Sequence, residues 1–244
     1  MTWSEIGWVI IALAAVLLIV FNVLFKRGLS YRVRAKPEVQ SFLDQRVCSI
    51  ERGSRSWTFL GDQFWSRTYP ALGLHALSVY ASLAKVENIA DKGQVTAVGA
   101  GELALFARQV VQGSYQEGVS LGLDVSYSGP IKFSFLAGFL GEMGLNPPGS
   151  MSLFGNYSQV WALLAEAAMI KGAHTFVAAG SVTGQAAHFL NVRDLMIGEE
   201  VFMLPGLIEP SAPNRAGWVS EDILRILLMA LLVIAAGLKM AGLL

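Results

Sequence analysis

The chain has 244 residues, 54% of them apolar, with a mean hydropathy of +0.51; an ordinary soluble domain is about 45–50% apolar, so part of this chain belongs in lipid. Lys plus Arg balances Asp plus Glu at 18 each, which excludes both the bulk positive charge of a nucleic-acid binder and the acidic excess of a disordered tail. The one cysteine, Cys48, can form neither an internal disulfide nor a cysteine-based metal site, and no neighbouring base activates its thiol.

Residues 6–25 form a run of 20 without a charge, the length a helix needs to cross about 30 Å of hydrocarbon. Trp3 and Trp8 stand where an interfacial aromatic belt is expected, and Lys26, Arg27, Arg32, Arg34 and Lys36 follow. A basic flank faces the cytoplasm and also favours anionic lipid. A secretory signal would carry its basic residues before the apolar run, so the order here predicts a spanning helix. Residues 26–56 then read as a basic juxtamembrane connector, with a helix opened by Pro37 and a polar, glycine-containing turn from 51 to 56.

An α/β domain is expected over 57–210. Apolar patterning predicts strands over 57–60, 94–98, 119–125, 151–154 and 175–179, alternating with helices over 75–89, 101–111, 131–145 and 157–171. Such alternation buries a parallel sheet between helices joined by right-handed crossovers. The predicted fold is therefore Rossmann-like: a doubly wound, mostly parallel, five-stranded α/β sheet.

A linker over 211–222 leads to a second expected span at 223–244. Ser220 reads as its helix start, with Glu221 and Asp222 where the macrodipole favours acids. The uncharged stretch from 226 to 238 is only 13 residues long, but Arg225 and Lys239 can snorkel to the headgroups. Two spans place both termini outside and the α/β domain in the cytoplasm. Ala12, Ala15, Ala235, Ala236 and Gly237 offer small surfaces for pairing the two helices, and Asn22 could hydrogen-bond across them.

Each expected strand ends in glycine or polar residues: Gly61-Asp62, Gly99-Ala100-Gly101-Glu102, Ser128-Gly129, Gly155-Asn156-Tyr157 and Gly180-Ser181-Val182-Thr183. Open α/β sheets bind ligands at the carboxyl ends of their strands, where glycine admits backbone amides and helix N-termini attract anions. Asp62, Gly99, Gly101, Glu102, Ser128, Asn156, Tyr157, Ser181 and Thr183 are accordingly the candidate crevice. Strand-to-helix turns favour the same residue types for capping alone. The spacing Gly99-x-Gly101-x-x-Ala104 matches the relaxed dinucleotide fingerprint, with Asp124 about 20 residues on for a ribose, which would call for NAD or a flavin nucleotide. Against this, the fingerprint belongs after the first strand, and here a strand and helix precede it.

No catalytic constellation emerges. His75, His174 and His188 are not at metal-ligand spacing, and neither a nucleophile elbow nor a phosphate loop occurs. Glu166, in an otherwise apolar helix, could be a buried functional carboxylate, although a solvent-facing position is the commoner outcome. Glu199 and Glu200 are the other conspicuous acids, while Lys132 and Arg193 have no assigned place.

The segments Gly155-Asn156-Tyr157 through LLAEAAMIKGA, then VAAGS, LMIGEEVFMLPGLI and SEDILRILLMALLVIAAGLK, resemble a family of two-span bacterial membrane proteins built around a domain of unknown function. The resemblance covers roughly residues 40–244 and rests mainly on the IGEE stretch and the Glu166 helix. It implies the same architecture and a shared role for Gly155, Glu166, Gly198, Glu199 and Glu200, but supplies no chemistry. Where that pattern has an acidic pair after the fourth strand, this chain has Asn156, Tyr157 and Ser158. Three classes of function are thus expected: a membrane-tethered, non-catalytic module that senses a small molecule or assembles with itself or a larger membrane complex; a dinucleotide-dependent oxidoreductase; and a transport component. The last is disfavoured because Asn22 is the one polar residue in the uncharged stretches 6–25 and 226–238, a poor pathway unless many copies assemble.

Overall fold

Six strands, β1 (Arg55–Leu60), β2 (Gln94–Val98), β3 (Leu123–Tyr127), β4 (Pro148–Gly155), β5 (His174–Ala179) and β6 (Asp194–Met196), pair in the order β3-β2-β1-β4-β5-β6. Every neighbouring pair is parallel. In the computed structural model, residues 3–29, 36–61, 71–86, 94–99, 101–116, 123–127 and 132–240 are described, a few of them by backbone alone. The helices are α1 (Trp3–Lys26), α2 (Pro37–Glu51), α3 (Leu72–Val86), α4 (Gly101–Gln116), α5 (Lys132–Leu145), α6 (Trp161–Ile170), α7 (Val182–Phe189), α8 (Glu200–Ile208) and α9 (Ala212–Met240).

The chain divides into two units. The first, Ala35–Glu209, is the α/β domain. Alternation along each strand splits its core into two layers. On one face Leu60, Val98, Phe154 and Phe176 pack with Phe42 of α2, Val79 and Leu83 of α3, Leu103 of α4 and Leu204 of α8. On the other, Trp57, Phe59, Met151 and Val177 pack with Phe135 and Phe139 of α5 and Trp161 and Leu164 of α6. Helices on both faces, with the order reversing between β1 and β4, make the domain doubly wound.

Several segment boundaries differ from expectation. Among the described residues the sheet has six strands, not five: β6 spans three residues and pairs with β5, too short to show a hydrophobic period. The α2 segment, read as connector, belongs to the domain and buries Val39, Phe42 and Ile50. Arg46 of the same helix is also buried, donating from Nη1 to Thr58 Oγ1 at 2.9 Å. Its neighbours Ser56, Thr58, Ser150 and Ser152 form a polar strip on that side of β1 and β4, with Ser150 Oγ donating to Ser56 Oγ at 2.9 Å.

The second unit joins residues 1–34 to residues 210–244, in which α1 and α9 pack together. Helix α9 begins at Ala212 rather than Ser220. The expected linker is therefore mostly helical, since Pro213 fits a first turn and the Ser211 hydroxyl accepts from the Asn214 amide at 3.4 Å. Leu18, Ile19 and Asn22 of α1 face Pro213 and Ala216 of α9 around a small cavity. The Asn22 Oδ1 there is buried and lacks a hydrogen-bond partner among the described residues. Among the described residues, no helix is long and apolar enough to cross a membrane. The side chains at 3–6 and 9 of α1 lie outside that description.

Candidate functional site

The carboxyl edge of the sheet is joined across by backbone. The Gly99 amide donates to Gly61 O at 3.2 Å, Gly61 to Phe154 O at 3.0 Å, and Gly180 to Gly155 O at 2.9 Å. Four strand ends, β2, β1, β4 and β5, thus terminate on glycines at the switch point. Gly155 has φ +114° and Gly61 φ +46°, conformations that L side chains rarely adopt. A Cβ at Gly155 would also lie 3.2 Å from Ala76 Cβ, and one at Gly180 would collide with Leu72 of α3. Gly61 and Gly155 are required by their turns, and Gly155 and Gly180 by the close approach of α3.

The polar side chains at this edge are largely committed to the fold. Tyr157 is buried; its hydroxyl accepts from the Gly61 amide at 2.9 Å and donates to the Phe59 carbonyl. That double tie clamps the end of β1 and keeps Tyr157 out of α6, which begins at Trp161 rather than 157. Ser181 is buried as the N-cap of α7, accepting from the Gly184 amide at 3.1 Å and donating to the Tyr157 carbonyl. Asn156 is half-buried, whereas Glu102 and Thr183 are exposed in the first turns of α4 and α7. Asp62 and Ser128 lie outside the described residues. The structure therefore brings Gly99, Asn156, Tyr157 and Ser181 to one edge, with Tyr157 and Ser181 bonded internally.

The fingerprint residues fare unevenly. Gly101 opens α4, and no atom of the described residues would lie within 4 Å of a Cβ there. It follows the second strand, however, and Asp124 pairs with Val95 near the amino end of β3, opposite the edge a ribose would occupy. Glu166 faces solvent on α6, which removes the buried-carboxylate reading. Glu200 forms an ion pair with Lys36, and Glu199 is the N-cap residue of α8. The Glu200–Lys36 pair ties the start of α8 to the start of α2. Among the described residues no cluster of His, Cys, Asp and Glu could hold a metal ion.

The histidines fall into two kinds. His174 pairs through Nε2 with Asp194 Oδ2 at 2.8 Å. His188 is fully buried with both ring nitrogens unpartnered among the described residues, and burial pushes its pKa down to about 4. Burial likewise lowers His75 to about 4, outweighing a backbone hydrogen bond with Val201 that raises it. Unfolded imidazoles take up protons below about pH 6.5, so stability from these neutral histidines is complete above that pH and is lost as pH falls from about 6.5 towards 4. Each unit in that window costs up to about 1.4 kcal/mol per histidine. Thermal unfolding should therefore shift downward between pH 7 and pH 5, and His188→Leu should flatten that dependence; an unchanged slope in the variant would rule out its contribution.

No protein-family model matches the chain, and no curated protein or solved structure matches it either.

Proposed function

We propose that this chain is a membrane-tethered α/β module, non-catalytic, whose domain acts as a small-molecule sensor or as an assembly subunit, alone or within a larger membrane complex. One observation carries the tether: consecutive apolar residues of α9 from Ile226 to Leu228 and from Leu231 to Ile234 are all exposed, as are Ile11, Val16 and Ile19 of α1. An apolar surface running round a helix is a lipid-facing surface or an aggregation liability in water. The uncharged run at 6–25 of the sequence includes side chains outside the described part of α1, and is long enough to span. Lys26, Arg27, Arg32, Arg34 and Lys36 support a cytoplasmic domain with both termini outside. The resemblance to the two-span family supports the same plan.

A non-catalytic role is supported by the commitment of Tyr157 and Ser181 to internal bonds at the edge where α/β enzymes place their chemistry. The strand order β3-β2-β1-β4-β5-β6 and the space beside Gly101 among the described residues favour a second reading, a membrane-anchored oxidoreductase using NAD or a flavin nucleotide. The position of Asp124 counts against it.

The tether is tested by alkaline carbonate extraction of membranes from expressing cells. The chain should stay in the pellet, while a variant charged in both helices, Val16→Arg/Ile19→Arg with Leu231→Arg/Ile234→Arg, at about 2.5–3.5 kcal/mol per charge at a helix centre, should insert poorly and be released. Release of the unaltered chain by carbonate would overturn the proposal.

A further inference from the structure

The amino-terminal edge of the sheet, opposite the expected crevice, holds a cavity of about 280 Å³ whose walls include Ser49, Arg52, Ser54, Gly149, Lys171 and His174. Among the described residues no carboxylate lines it. Arg52 ends α2 and Lys171 ends α6; both are exposed, and among the described residues neither pairs with an acid. Cations at helix carboxyl ends commonly offset the macrodipole, which amounts to roughly half a charge per helix. Here α2 and α6 end at the cavity and α5 ends just before it, so the two full charges still exceed the dipoles they face.

Dipole compensation does not account for the floor of the cavity. Ser49 is only 4% exposed, yet its hydroxyl has no partner among the described residues. A buried hydroxyl left unbonded costs stability unless something occupies it. Beside it, His174 is held by Asp194, its Nε2 lying 2.8 Å from Asp194 Oδ2. Gly149 allows the arrangement, because a Cβ there would lie 2.3 Å from Ser49 Oγ and 2.6 Å from Ser54 Cβ. A guanidinium fork, an ammonium and a hydroxyl around a cavity this small match the donor set of a phosphate group.

We propose that this cavity binds a small phosphate-bearing ligand, with Arg52 and Lys171 neutralising it and Ser49 hydrogen-bonding it. The inference stands apart from the membrane tether and from the carboxyl edge. The test is calorimetric titration of inorganic phosphate, then glycerol 3-phosphate, into the full chain in detergent, at ionic strength held constant with chloride. Saturable phosphate binding is expected, weakened about tenfold or more in Arg52→Gln/Lys171→Gln, weakened also in Ser49→Ala, and unchanged in Arg108→Gln on α4. Because Arg52 and Lys171 are exposed, their variants should keep the parent's unfolding temperature. Nanodiscs containing phosphatidic acid distinguish the source: competition that disappears in the double variant assigns the phosphate to a lipid headgroup, and lack of competition assigns it to a soluble metabolite. Absence of saturable phosphate binding, or equal affinity in the double variant, overturns the proposal.

Discussion

Replacing Phe59 by alanine should lower the stability of the α/β domain by about 4 kcal/mol, the range for truncating a fully buried aromatic, and its unfolding temperature by roughly 10–15 °C for a domain of this size. Phe59 is fully buried on central strand β1. Its ring centroid lies 5.2 Å from that of Phe139, 6.0 Å from Trp57, 6.1 Å from Trp161 and 6.3 Å from Phe135, several of them edge-on. Such contacts are worth about 0.5–1.5 kcal/mol beyond area burial, and rings from α5, α6 and the sheet cannot all close on the space left behind. Val182→Ala, at a site 69% exposed, is the control and should change stability by about 0.5 kcal/mol at most. A loss at Phe59 no larger than the control's would mean that this layer is not the core of the domain.

Gly155→Ala should cost about 3 kcal/mol, measured by denaturant unfolding. Two effects combine: φ +114° at Gly155 is a conformation in which a side chain costs about 1–3 kcal/mol, and the new methyl would press on Ala76 Cβ at 3.2 Å, straining a packed interface. Gly172→Ala separates them, since Gly172 has φ +82° but no atom within 4 Å of its Cβ position. The Gly172 variant should therefore lose distinctly less. Equal losses would show that backbone conformation alone, not the approach of α3 to the switch point, fixes glycine at position 155.

The layered α/β class was legible because apolar runs such as Trp57–Leu60 and Thr175–Ala179 are short, continuous and separated by helical periods, as strands buried on both faces must be. What escaped depends on tertiary context. Three residues pairing with β5 make β6, and nothing local distinguishes Asp194-Leu195-Met196 from a turn. Pro213 reads as a breaker in a linker, yet at a helix's first turn it is a starter. Tyr157 and Ser181 have the composition of a binding loop, and only their partners, Gly61, Phe59 and Gly184, identify them as ties and caps. The phosphate cavity was invisible for a related reason. Ser49 and Arg52 lie more than 100 residues from Lys171 and His174 in sequence, and each cation alone looks like ordinary compensation at a helix end.

The two-span tether is tested most directly by the side of the membrane on which each part of the chain lies. With Cys48→Ser as background, single cysteines introduced as Thr2→Cys, Glu51→Cys and Leu244→Cys can be probed in intact cells with an impermeant maleimide. The cysteines at positions 2 and 244 should react before lysis, and the one at position 51, exposed at the end of α2, only after it. Labelling of position 51 in intact cells, or protection of either terminal position, would contradict a cytoplasmic domain held by two spanning helices.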